Sequence, residues 1–194
     1  MPGLPLKRRR LKLTDYRKRL KLILSGKPRL VVRGSNKNFQ VQIVVAEPHG
    51  DRVLTSATTM ELSKEYGWKA GRGNVPSAYL TGYLAGLKAL QKNIEEAVLD
   101  TGLSKFIKGS RVSAAMKGAL DAGLKVPHGE DVFPEEERIK GIHIARYADS
   151  LQKMDPELYR RTFSAYLAGG IKPEGLPEHF ESIKAEIDRS FGRG

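Results

Sequence analysis

The stretch that decides the fold is Arg29–Thr58, RLVVRGSNKNFQVQIVVAEPHGDRVLTSAT. Arg29–Arg33 is short, β-branched and apolar at its centre, which predicts a strand. Gly34-Ser35-Asn36-Lys37-Asn38 is built from turn residues. From Phe39 to Ala46 the chain alternates, with Phe39, Val41, Ile43 and Val45 on one face and Gln40 and Gln42 on the other. That period of two predicts a second strand with one buried side. Glu47-Pro48-His49-Gly50-Asp51 turns the chain again, and Arg52–Thr58 reads as a third strand. Three strands joined by short turns make an antiparallel meander.

Downstream of Thr58 the period changes to that of helices. Thr58-Thr59-Met60-Glu61 has the form of a capping box for a short helix ending near Gly67. Asn74 is placed to cap a helix from Val75 to about Lys92, with Pro76 in its first turn. Ala97–Asp100 predicts a fourth strand. Ser110–Ala122 predicts an amphipathic helix that turns Val112, Met116, Ala119 and Leu120 inward. The expected fold class is α/β (α+β). It has a mixed sheet whose meander is followed by helix, strand and helix, and a helical extension comes after it. Three helices are expected in that extension, starting at Pro134, at Asp155-Pro156 and at Pro177, the last with Phe180, Ile183, Ile187 and Phe191 on one stripe. Upstream, Thr14 is placed to cap a helix through Leu24 with Tyr16, Leu20 and Leu24 on a stripe. Met1–Lys12 reads as a basic arm that orders on a partner. The expected organisation is an arm with its short helix over 1–28, an α/β core over 29–126 and a helical extension over 127–194.

The chain has 194 residues, 34 Lys and Arg against 22 Asp and Glu, and a formal net charge of +12. Residues 1–37 hold 13 of the basic residues and one acid, Asp15, so the whole formal excess lies there. Between Tyr16 and Ala46 there is no acid at all. A solvated surface usually mixes both signs, whereas a surface that meets phosphates excludes carboxylates. The charge therefore points to a polyanion. There is no cysteine, which excludes disulfides, thiol catalysis and Cys-ligated metal sites. No apolar run approaches the roughly 18 residues of a membrane span, and the N-terminus lacks the apolar core of a secretory signal, so a cytosolic chain is expected.

Catalytic chemistry is hard to place. His49, His128, His143 and His179 stand apart, with no paired metal-binding spacing. Gly71-Arg72-Gly73 lacks the third glycine and the preceding strand of a dinucleotide site. Gly82 and Gly86, four apart, suggest close helix–sheet packing. Ser35, Ser56 and Ser77 show no His–acid pairing, and Glu135–Glu137 suits a helix start. The element order is also that of ribonuclease-H-like nucleases, which hold two metal ions with several carboxylates. Their first carboxylate belongs on the early central strands. Arg29–Ala46 has none, which leaves Asp100 alone. No catalytic residue, metal or cofactor is therefore expected.

Among polyanions, lipid has no need of an acid-free strand pair. Sequence-reading DNA proteins would show a helix-turn-helix or basic-zipper pattern, and neither is present. Folded RNA fits better. Arg and Lys reach phosphates, Ser35, Asn36, Lys37 and Asn38 offer short polar side chains at a turn, and Tyr16 and Phe39 are candidates for stacking.

Arg29–Asn38, with the strand after it, resembles large-subunit ribosomal protein eighteen of the archaeal–eukaryotic branch. The similarity continues through Gly73–Gly82, through Lys108–Val112 to Ala122-Gly123-Leu124, and through Val126–Gly129 to Arg138-Ile139. In this chain a glycine stands between the arginine and serine of the turn. The resemblance implies a structural protein of the central protuberance that binds 5S ribosomal RNA and helps attach it to large-subunit RNA. It implies large-subunit protein five among the neighbours, and neither a membrane nor a small-molecule substrate. It places RNA contacts on Arg8, Arg9, Arg10, Lys12, Arg17, Arg19, Lys27, Arg29, Arg33, Ser35, Asn36, Lys37 and Asn38, followed by Arg72 and Asn74. A free-standing RNA chaperone or maturation factor using the same surface is the alternative.

Overall fold

A computed structural model describes residues 4–193. Met1–Gly3, the start of the expected arm, and Gly194 lie outside the described residues. The chain begins with a single helical turn, α1 (Lys7–Arg10), and α2 (Tyr16–Leu24). The strands β1 (Arg29–Gly34), β2 (Phe39–Glu47) and β3 (Gly50–Thr58) follow, then α3 (Thr59–Glu65), α4 (Val75–Gln91), β4 (Val98–Asp100) and α5 (Arg111–Asp121). The extension holds α6 (Glu136–Lys140), α7 (Ile142–Met154), α8 (Pro156–Thr162), α9 (Ser164–Ala168) and α10 (Leu176–Ser190). The sheet order is β3-β2-β1-β4, antiparallel throughout the meander, with β4 parallel to β1. This is the expected α+β architecture with a mixed sheet.

Local chemistry explains the strand and helix starts. Gly34 pairs with Phe39 across the hairpin, and a Cβ on Gly34 would lie 2.6 Å from the Phe39 ring, so a side chain there would push that ring out of the core. The Thr58 hydroxyl accepts from Glu61 N, Asn74 from Ser77 N and Ser110 from Ser113 N, each satisfying an orphan amide of the helix it opens. On β2, Phe39, Val41 and Ile43 enter the core as the alternation requires. Val45 departs from expectation and is only half-buried. Val44, on the opposite side, is buried because that face is not open: with Val31 it lines a cleft whose far wall is α2. The β2–β3 ladder also slips, Ile43 facing Thr55 and Val44 facing Val53, so Leu54 bulges.

The core lies between the sheet and the helix pair α4–α5. Gly82 and Gly86 serve a helix–helix contact, not the helix–sheet contact expected for them. A Cβ on Gly82 would stand 1.9 Å from Ala115 O, and one on Gly118 of α5 would stand 2.1 Å from Tyr79 O. Small residues on both sides bring the two backbones together, which is why Ala114 and Ala115 are more deeply buried than the half-buried Val112 and Leu120.

The extension joins the same core through Ile139, Leu176, Phe180, Ile183 and Ile187. Two of its three expected helices are interrupted. The first breaks at Gly141, which takes φ +80° under Leu176, and the second breaks at Phe163, which packs into a small cluster with Ala148, Leu151 and Tyr159. His179 on α10 stacks on Trp68 at 5.1 Å and accepts a hydrogen bond from Lys69 N at 3.1 Å, so it is a packed histidine.

Candidate nucleic-acid interface

The arm is tied to the sheet by its own cations. Asp15, not Thr14, caps α2, accepting from Arg17 N and Lys18 N. Thr14 instead receives Arg8 Nε at 2.8 Å. Asp15 is preferred because its carboxylate also suits the positive end of the helix. Lys18 Nζ donates to Thr101 Oγ1 (2.8 Å) and Gly102 O (3.2 Å) on the loop after β4. The expected stripe does not face inward: Leu20 and Leu24 are exposed, and Leu22 and Ile23 are half-buried instead. Arg9, Arg10, Lys12 and Arg17 point to solvent with no salt bridge among the described residues.

Beneath α2 runs a chain of alternating charges. Arg19 grips Asp51 with both amino groups, at 2.7 and 2.5 Å. Arg29 Nη2 lies 2.7 Å from the same carboxylate, and its Nη1 donates to Asp100 Oδ2 at 2.7 Å. Arg33 reaches Asp100 Oδ1 at 3.2 Å and the Asp100 carbonyl at 2.7 Å. The Arg19 hydrogen bonds, with Arg29 behind them, outweigh partial burial and hold the Asp51 carboxyl at about 2. Burial pushes Asp100 upward, but the Gly102 N–H and the two guanidiniums prevail and keep it below the ordinary carboxylate range. The acids that balance these arginines come from β3 and β4, outside the acid-free stretch.

One end of the sheet gathers three loops. They are the β1–β2 turn, the loop before α4 and the loop between β4 and α5, since β1, β3 and β4 all run toward that end. In the turn, Ser35 N donates to Asn38 O and Asn38 N to Ser35 Oγ, which closes it and leaves the Asn36 and Lys37 side chains exposed. Arg111 Nη1 donates to both Ser35 O (2.9 Å) and Gly73 O (2.8 Å), locking the turn to the loop before α4. A Cβ on Gly73 would fall 2.3 Å from Asn36 O, so a larger residue there would break the seam.

The sixteen expected contact residues therefore fall into three groups. Arg8, Arg9, Arg10, Lys12, Tyr16 and Arg17 lie on the arm. Ser35, Asn36, Lys37, Asn38 and Arg72 lie at the sheet end, where Arg72 also rests on Met60 Sδ at 2.9 Å. The rest are engaged internally: Arg19, Arg29 and Arg33 in the charge chain, Lys27 with Glu96 at 2.7 Å, and Asn74 between Ser77 N and Tyr166 OH. Phe39 is in the core and offers no ring to solvent. Sequence reading passed over Lys18 and Arg111, which position the elements, and Lys105 and Lys108, which stand exposed on the third loop. For Lys105, Lys108 and Arg111 the sequence signal is an acid-free run from Thr101 to Leu120. Among the described residues no three His, Asp or Glu side chains are grouped to hold a metal ion, and none of the helices is long and apolar enough to cross a membrane.

The arrangement is one of positioned cations around polar turns, suited to a phosphate backbone. Comparison with known sequences agrees. The family described as ribosomal large subunit proteins 60S L5 and 50S L18 matches residues 4–96 and 91–129. Large ribosomal subunit protein uL18 of Thermofilum pendens is 54% identical over 187 residues, covering 96% of this chain and 95% of that relative. The chain belongs to this ribosomal L18 family, in its archaeal–eukaryotic form, and is a structural, rRNA-binding protein of the large ribosomal subunit.

Proposed function

We propose that the protein binds 5S ribosomal RNA and helps attach it to large-subunit RNA in the central protuberance, without catalysis. The observation that carries this reading is the continuity of the arm with the sheet end. Lys18 joins α2 to the loop after β4, Arg111 joins that side to the β1–β2 turn, and free cations stand along the whole route. A rigid basic surface of this kind reads RNA by shape and backbone. Asp100, the carboxylate a nuclease would need, is held by Arg29 and Arg33 and supports the arginines. The extension carries 10 basic and 13 acidic residues from 127 to 194, and it suits neighbouring large-subunit proteins, protein five among them.

Binding of a 5S transcript tests the proposal. Asn36→Ala/Lys37→Ala is expected to weaken binding several-fold with the melting temperature unchanged, because both side chains are exposed. Wild-type affinity in that variant would remove the turn from the interface. Co-sedimentation with large subunits is expected in cell extracts, and migration in light fractions alone would favour the free-standing factor.

A further inference from the structure

The loop between β4 and α5 carries a surface that the phosphate-contact reading leaves unused. Leu103, Phe106 and Ile107 are 59%, 37% and 62% exposed, three large apolar side chains within five residues of one loop at a strongly cationic end of the molecule. Lys105 and Lys108 are interleaved with them, exposed and without a salt bridge among the described residues.

The feet of the loop are fixed while its tip is presented. Thr101 Oγ1 donates to Ser104 O at 2.8 Å, and Gly109 N donates to Val132 O at 3.1 Å. The first foot also receives Lys18 of the arm, and the second leads into Arg111, which holds the β1–β2 turn. The two feet thus tie the loop to both parts of the proposed RNA surface.

Neighbouring exposed apolar side chains on a loop anchored at both feet suit a contact surface. Lysines between them, on a face already cationic, select a partner that is apolar and anionic within a few ångströms. A paired RNA helix offers phosphates and riboses on its outside, whereas an unpaired nucleotide offers a base face beside its phosphate. We propose that the 103–108 loop receives an unpaired base of the RNA. The base stacks on the exposed ring of Phe106, next in sequence to the exposed Ile107, and Lys105 and Lys108 take the flanking phosphates. This rests on the 5S reading above and adds to it a discrimination between looped and paired RNA.

The test measures affinity for a 5S transcript, and for a fully paired RNA of similar length, over a range of salt. Phe106→Ala is expected to weaken 5S binding about tenfold, to leave the log–log salt slope unchanged and to leave paired RNA unaffected. Phe106→Tyr keeps the ring and should retain affinity. Lys105→Ala/Lys108→Ala should lower the slope by roughly 1.4 to 1.8. Wild-type 5S affinity in Phe106→Ala, while Asn36→Ala/Lys37→Ala still loses binding, would overturn the base site and leave the 5S reading standing. Equal loss on looped and paired RNA would also overturn it. Failure of the unaltered protein to bind 5S would remove the 5S reading, and with it this one.

Discussion

The Arg29 guanidinium is 3% exposed and lies between two carboxylates, and its Nε has no hydrogen-bond partner among the described residues. Its burial is tolerable because Asp100 and Asp51 flank it. Asp100→Ala leaves a buried cation short of one partner and is expected to cost roughly 3 kcal/mol, measured by chemical denaturation. A loss under about 0.5 kcal/mol, the size of a weak surface pair, would contradict the pairing. Arg29 belongs with the basic stretch in the sequence, and nothing local marks it as internal. Its partners lie 22 and 71 positions away, on strands whose neighbourhood only the sheet order reveals. Asn36 and Lys37 were legible, because a turn made of Ser, Asn and Lys has no reason to be buried. Arg111 was not, because its role depends on two carbonyls brought together by separate loops.

At the scale of elements, α2 depends on the Arg19–Asp51 pair. The Asp51 carboxyl titrates at about 2 when the arm is docked, and losing Arg19 moves it up toward the ordinary carboxylate range, with Arg29 still beside it. A depressed carboxyl contributes its stabilisation fully above the ordinary value and loses it as pH falls through the docked value. Docking of the arm should therefore be constant above about pH 5 and weaken between about 4 and 2. Hydrogen exchange of the Tyr16–Leu24 amides, measured relative to the α4 amides, is expected to accelerate only in that lower window. An unchanged ratio would show that the pair does not hold the arm. Element starts were the most legible part of the fold, since Thr58, Asn74 and Ser110 cap through short-range chemistry that composition states directly. The exception, Asp15 in place of Thr14, is a choice between adjacent candidates. The breaks at Gly141 and Phe163 were obscured because each answers to packing, one against Leu176 and the other inside an aromatic cluster.

For the whole molecule, the location of charge along the chain and in space differ in an informative way. Of the 13 cations in residues 1–37, Arg19, Lys27, Arg29 and Arg33 are paired with acids from beyond that segment. Outward charge is concentrated on the arm and on the three loops of the sheet end, two of which lie well downstream. The fold class was legible because a period of two gives way to helical spacing at one point, Thr58. The composite surface was not, because it is assembled by the parallel pairing of β4 with β1. The central claim is that arm and sheet end act as one RNA-facing surface. The salt dependence of 5S affinity, compared between the full chain and a chain lacking residues 1–12, tests it most directly. Residues 8–12 alone supply four arm cations, so the truncation is expected to flatten the log–log slope by about 3 while a residual slope from the sheet end persists. An unchanged slope would contradict the account, since it would make the arm a tail with no part in binding.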